Sequence, residues 1–364
     1  MKVSTITTST NKKRYMLVDN NGLSVDAVNK YLKYKDSHGS ARNTLKTYCY
    51  HLKLYFQYLE QSKLDYLSVN IDSMSNFLHW LQTPSDSLIT INLKPTESKR
   101  SARSINIIVS VVLDFYDYLM RNSSYDGKIS ERLKREMSGS KRGYKGFLYH
   151  IQKDKTYLQK ILKIKEPKIK PKVLQKEQVE AVLQNCNNLR DIFLITLLYE
   201  SGMRIGEALG LWIEDFSIDG RKVEIKDRGE LENGAELKSV NAPRIINISD
   251  SLINMFIDCI SEYHDDNVDT NHVFIKLSGK NKYQPMEYPD VDSLFKRLKK
   301  KTSIHVTPHM LRHTSLTELR KAGMKSEHLQ RRAGHSDPNF TAQVYYHPTD
   351  EDIRHDWQNS RGED

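Results

Sequence analysis

Thr307-Pro308-His309-Met310-Leu311-Arg312-His313-Thr314 reads as the opening of a helix. Thr307 suits the cap position and Pro308 the first turn, where a missing N–H costs nothing. His309 and Arg312 then share one face, a single turn from a helix N-terminus, which is a setting that favours an anion. His-x-x-Arg is only two common residues, so its weight depends on what surrounds it. Upstream lies Ser201-Gly202-Met203-Arg204-Ile205-Gly206-Glu207-Ala208-Leu209, where Arg204 and Glu207 stand three apart and can pair. Downstream lie Arg332-Ala333-Gly334-His335, with Gly334 placed to stop a helix, and Val344-Tyr345-Tyr346-His347-Pro348. Each cluster alone has an ordinary reading: a surface ion pair, a turn, a packed aromatic pair.

The composition sets the frame. The 364 residues carry 56 Lys+Arg against 46 Asp+Glu, a formal net charge of +10. That length suits two domains with cores that need no disulfides. The basic surplus attracts polyanions, nucleic acid above all. Cys49, Cys186 and Cys259 are far apart in sequence and form no metal-ligand spacing, so they read as core thiols of a reducing compartment. The N-terminus has no basic-then-apolar leader, and apolar runs such as Ile192 to Leu198 are too short to span a bilayer. The expected location is cytoplasmic.

Hydrophobic spacing divides the chain further. Residues 1–22 read as a short extension with two strands, Lys2–Ser9 and Arg14–Asp19. Residues 23–125 are helical, with Ser24 as a cap for Val25–Lys35. Helical stripes follow: Leu45, Tyr48, Leu52, Tyr55, Phe56 and Leu59, then, after a shorter helix over Asp72–Leu81, Ile105, Ile108, Val112, Phe115, Tyr116 and Leu119. Residues 126–172 form a basic linker that includes Lys163, Lys165, Lys168 and Lys170, a charge run suited to phosphate. Residues 173–355 mix helices (Gln175–Gln184, Asp191–Glu200, Ser251–Tyr263, Asp290–Lys300, Pro308–Ala322, Ser326–Arg332, Pro338–Tyr345) with short strands at Phe216–Ile218, Lys222–Lys226 and Pro243–Ile248. Residues 356–364 are a polar tail. The expected fold is an all-α domain followed by a mixed, mainly helical domain with a small antiparallel sheet.

Order and spacing change the meaning of the clusters. Arg204, then His309-x-x-Arg312, then Gly-His335 about two dozen residues on, then Tyr-x-His about ten further: this succession over residues 173–350 resembles the catalytic domain of the tyrosine recombinases, the phage integrase family. His309–Thr314 is similar to its most specific motif and Gly202–Glu207 to its first arginine box. Ser40–Leu59 and Ser101–Leu119 look like helices of its SAM-like core-binding domain. Two departures stand out. Ala333-Gly334-His335 replaces Leu-Gly-His, and the stretch from His335 to the tyrosine is one residue longer than usual.

The resemblance implies a site-specific recombinase of a mobile element, similar to integrases and A-type transposases, that cleaves DNA through a 3′-phosphotyrosine. Neither metal nor ATP is required, and no cofactor is expected. The implied catalytic residues are Arg204, Lys238, His309, Arg312, His335 and Tyr345, with Tyr346 as the alternative nucleophile and Lys226 as the alternative lysine. Glu207 would orient Arg204 or the backbone beside it. The implied partners are double-stranded DNA, three further copies in a homotetrameric synapse, and an accessory DNA-bending or directionality protein; no membrane is involved. The segment Asp350–Trp357 is expected to dock on a neighbouring protomer. Competing activities are type IB topoisomerase-like relaxation and DNA binding by a decayed site.

Overall fold

The computed structural model describes residues 1–9, 12–82, 100–122, 164–167, 172–237, 243–334 and 358. The chain forms two compact units, Met1–Lys168 and Ile169–Asp364.

The first unit holds α1 (Asp26–Ser37), α2 (Arg42–Gln61), α3 (Ile71–Gln82) and α4 (Ala102–Arg121), preceded by the hairpin of β1 (Lys2–Thr7) and β2 (Lys13–Val18). The stripes read from the sequence are the buried faces. Leu52, Tyr55 and Leu59 of α2 meet Ile105, Ile108, Val112 and Phe115 of α4, with Phe77 and Leu81 of α3 completing the core; Leu45 of α2 is buried as well. Aromatic hydroxyls are satisfied inside it: the Tyr55 and Tyr116 oxygens lie 2.6 Å apart, and Tyr116 donates to the Tyr66 carbonyl at 2.9 Å. Ser101 caps α4 by accepting from the Ser104 N–H at 3.2 Å.

Ser24 is not a cap, contrary to expectation; α1 starts at Asp26 and Val25 holds the cap position without a side-chain bond. The reason lies in Asn29, whose side chain accepts from the Leu17 N–H and donates to the Leu17 carbonyl, sealing the free edge of β2. Its amide also donates to the Ser24 hydroxyl at 2.8 Å, which draws that oxygen away from the helix end. The hairpin is antiparallel, with Lys2 opposite Val18 and Thr7 opposite Lys13. It is two residues shorter at the far end of β1 than the sequence suggested.

Part of the basic stretch is not free chain. Residues 164–167 lie along α4, where the Asn106 side chain donates to the Ile164 carbonyl (2.9 Å) and to Glu166 (2.7 Å) and accepts from the Ile164 N–H (2.9 Å). Ile164 packs on the core of this unit while Lys165 is exposed.

The second unit contains α5 (Lys176–Gln184), α6 (Leu189–Ser201), α7 (Ile205–Leu209), β3 (Phe216–Ser217), β4 (Lys222–Ile225), β5 (Arg244–Asn247), α8 (Asp250–Tyr263), α9 (Tyr288–Thr302), α10 (Pro308–Lys321) and α11 (Ser326–Ala333). The sheet order is β3-β4-β5, antiparallel throughout, with Val223 opposite Ile246. Helix α6 is apolar on nearly every face and runs through the core: Phe193, Leu194, Ile195, Leu197 and Leu198 are fully buried. Asn188 starts it by accepting from the Asp191 N–H, and Gly202, at φ 67°, ends it in the left-handed region that glycine enters without strain. Helix α9 begins two residues earlier than expected, because Asp290 accepts from the Glu287 N–H at 2.8 Å and Pro289 fits the first turn. The three cysteines are free; Cys49 and Cys259 are buried, and Cys186 is only half-buried. No described helix is long and apolar enough to cross a membrane. The helix expected over Pro338–Tyr345 and the segment Asp350–Trp357 fall outside the described residues.

Candidate functional site

The last carbonyls of a helix have no partner within the helix. At the end of α11 three of them are taken by three different arginines. Arg244 donates through Nε to the Arg332 carbonyl at 2.7 Å, Arg312 through Nη2 to the Ala333 carbonyl at 2.7 Å, and Arg204 through Nη2 to the Gly334 carbonyl at 3.2 Å. These guanidiniums arrive from β5, from α10 and from the turn between α6 and α7.

Each is fixed elsewhere as well. Arg312 is 3% exposed and donates through Nη1 to the Gly202 carbonyl at 2.6 Å, which ties α10 to the end of α6. Arg204 stands just before α7. Its own N–H and its Nη1 both donate to Glu207, at 2.7 and 2.9 Å. Arg244 grips the same carboxylate with both terminal nitrogens, at 3.1 and 2.9 Å. Burial pushes the Glu207 carboxyl up. The Arg244 hydrogen bonds and charge, then the Arg204 N–H and charge, more than offset this and hold it below its ordinary value. Glu207 is therefore a carboxylate, and three guanidiniums against one carboxylate leave a positive surplus in a site that excludes most water.

Gly334 is required twice here. Its φ is 62°, and a Cβ would sit 2.7 Å from Arg244 Nη1. Arg332 holds α11 from its other side, donating to the carbonyls of Asn247 and Glu200 at 3.1 and 3.0 Å.

Helix α10 brings a histidine to the same region of the chain. Thr307 accepts from the Met310 N–H at 3.2 Å and Pro308 opens the helix, as the sequence indicated. His309 is exposed in this first turn, and its Nε2 lies 2.7 Å from Nε2 of His313, with the rings edge to face. His313 is 6% exposed. Burial first, then the neighbouring His309 and Arg312, push it down to about 4.

Of the residues singled out in the sequence, Arg204, Glu207 and Arg312 are brought together around the end of α11, and His309 stands on the helix that carries Arg312. Lys238, His335, Tyr345, Tyr346, Lys163, Lys168 and Lys170 lie outside the described residues. Lys226 is occupied elsewhere: its ammonium is 3.1 Å from Asp215 and 3.5 Å from Glu224, and the hydrogen bond to Asp215 raises its proton affinity. Among the described residues no group of three or more His, Cys, Asp or Glu is placed to hold a metal ion.

Sequence reasoning passed over Arg244 and gave His313 no role. Arg244 carried a usable signal. In Arg244-Ile245-Ile246-Asn247 the buried positions are Arg244 and Ile246, while Ile245 is 56% exposed. An arginine on the inner face of a strand, alternating with an outward isoleucine, implies a buried carboxylate opposite it.

With this geometry in hand, two family profiles match the chain. That of the phage integrase family covers residues 172–352, and that of the phage integrase N-terminal SAM-like domain covers residues 28–123. Transposase A from transposon Tn554 of Staphylococcus aureus is 32% identical over 343 residues, 94% of this chain and 93% of that protein. A tyrosine recombinase of Agathobacter rectalis is 30% identical over 225 residues, 56% of this chain and 68% of that protein. Among solved structures, the Tn1549 transposon integrase in complex with transposon right end DNA matches with a TM-score of 0.61 at 21% identity, covering 92% of this chain and 98% of that one.

Proposed function

This chain belongs to the phage integrase family of tyrosine recombinases, and on that premise we propose that it is a site-specific DNA recombinase of a mobile element, with Tyr345 as its nucleophile. The observation that carries the reading is the guanidinium cluster at the end of α11, a fixed positive surplus built around one buried carboxylate.

Phosphodiester exchange is a phosphoryl transfer, which needs positioning and neutralisation of charge on the non-bridging oxygens. Arg204 and Arg312 supply that charge. A guanidinium has five donors in a plane, so it can hold protein carbonyls and a phosphate together. Tyr345 attacks the phosphorus and the 5′ oxygen leaves; the phosphotyrosine keeps the ester's energy, so rejoining needs no ATP. A tyrosine hydroxyl has a pKa of about 10, so its proton must be drawn off, and His309 is the base. Lys238 protonates the leaving oxygen. The commitment of Lys226 to Asp215 supports Lys238 for this role over its alternative. His335, which follows the carbonyl that Arg204 holds, donates to a phosphate oxygen. The likeness to a transposon's transposase A over nearly the full length of both chains supports a mobile element. Exchange between two duplexes, each cut twice, calls for a tetramer, with an accessory DNA-bending protein as a further partner.

The test is a nicked suicide duplex carrying the element's end, incubated in EDTA. Wild type is expected to trap a covalent complex and then join a foreign 5′-hydroxyl strand. Tyr345→Phe is expected to bind the DNA and form no adduct. An adduct from Tyr345→Phe that is missing from Tyr346→Phe would move the nucleophile by one residue. Relaxation of supercoils without foreign-strand joining would mark a type IB topoisomerase-like enzyme.

A further inference from the structure

His309 and His313 are one turn apart on α10, and their Nε2 atoms are 2.7 Å from each other. At that distance the two nitrogens share a single hydrogen. One of them must offer a lone pair, so the two rings cannot both be imidazolium. His313 is the ring suited to stay neutral. It is 6% exposed, and its burial beside the Arg312 guanidinium and His309 disfavours a second positive charge there. His309 is exposed and can take up charge at little cost in desolvation.

We propose that His313 is a positioning residue whose Nε2 accepts the Nε2–H of His309, so that Nδ1 is the atom through which His309 acts on the nucleophile. This rests on the reading of His309 as the base. In the attack, the tyrosine O–H bond breaks and its proton goes to Nδ1 of His309. The tyrosine oxygen bonds to phosphorus, and the phosphorus–O5′ bond breaks, with its electron pair and the proton from the lysine going to O5′. The imidazolium so formed keeps its Nε2–H on His313, so no ring flip is needed between the neutral and the charged state. His313 does for His309 what an orienting carboxylate does elsewhere: it sets the tautomer and the ring angle without touching the substrate.

The experiment uses the full chain. Long-range proton–nitrogen correlation on histidine-labelled protein without DNA reads the tautomers directly. The expected result is a protonated Nε2 on His309 and a bare Nε2 on His313; a protonated Nε2 on His313 overturns the assignment. Single-turnover cleavage of the suicide duplex is then compared in His313→Gln and His313→Leu. The glutamine oxygen can stand where Nε2 stood, so His313→Gln is expected within a fewfold of wild type, and His313→Leu about 30-fold slower, less than the roughly 10²–10⁴-fold that a positioned base contributes in full. DNA affinity should be equal in all three. A space-filling role predicts the reverse order, because leucine suits a buried site better than glutamine, and that order would overturn the proposal. If wild type forms no adduct at all, it is the recombinase reading that fails, while the nitrogen shifts still decide the pairing.

Discussion

Arg244 is the residue whose removal tests the architecture most directly. Arg244→Met deletes both bonds to Glu207 and the bond to the Arg332 carbonyl, and leaves a methionine of similar length in the gap. The Arg244 and Glu207 side chains are 3% and 1% exposed, so water cannot replace what is lost. Breaking such a pair from one side costs about 3–5 kcal/mol. For a unit of this size that is a fall in Tm of roughly 6–20 °C. The loss has a pH signature. In wild type the depressed Glu207 pKa gives stability that is present above the ordinary carboxylate range and is lost as pH falls through the folded value. Without Arg244, burial is expected to raise that pKa, so the acid limb of the stability curve moves to higher pH. The double variant Glu207→Met/Arg244→Met leaves Arg204 at 26% exposure, where water can solvate it, so it should recover part of the loss, a coupling on the order of 1–3 kcal/mol. The assay is thermal and urea unfolding of the full chain between pH 4 and 8. A single variant that melts within 2 °C of wild type, by roughly the noise of such scans, or a double whose loss equals the sum of the singles, refutes the reasoning.

Two further expectations rest on the geometry around α10 and α11, and a third on the charge run in the sequence. Gly334→Ala places a Cβ against Arg244 in a left-handed backbone and should cost about 1–3 kcal/mol and most of the cleavage rate; an unchanged melt contradicts it. His313, with an ordinary value of 6.5 and a folded value of about 4, takes up its proton more readily when unfolded, so stability should fall by about 3 kcal/mol as pH drops through that window, and His313→Gln should flatten the fall. Replacing Lys163, Lys165, Lys168 and Lys170 with glutamine should reduce the salt slope of DNA binding by up to about 0.9 per phosphate contact removed; an unchanged slope shows that the run does not touch phosphate.

What could be read in the sequence was whatever depends on local pattern. The stripes of α2 and α4 repeat at helical spacing, so the all-α unit was visible, as were the cap Thr307 and the stop Gly334. Glu207 could be assigned to Arg204 because they are three residues apart. The second partner of Glu207 could not, because Arg244 is 37 residues away and only the folded sheet brings it there. The loss of Ser24 as a cap has the same origin: a distant strand edge, Leu17, competes for Asn29 and through it for the hydroxyl. The docking of Ile164 onto Asn106 spans 58 residues and was hidden within a run of lysines that reads as linker.

The arginine cluster also bears on when the protein becomes competent. Its bonds join Arg204 to Gly334 across 130 residues, Arg312 to Gly202 across 110 and Arg244 to Arg332 across 88. Contacts of such separation close late in folding and cannot form on a partly synthesised chain. Translation proceeds from the N-terminus, so the helical unit can fold while Gly334 is still in the ribosome. A chain truncated by a premature stop before α11 keeps the means to hold DNA and lacks the carbonyls that aim its guanidiniums. On the proposed reading as a recombinase, such an unfinished copy would be expected to bind DNA without cutting it.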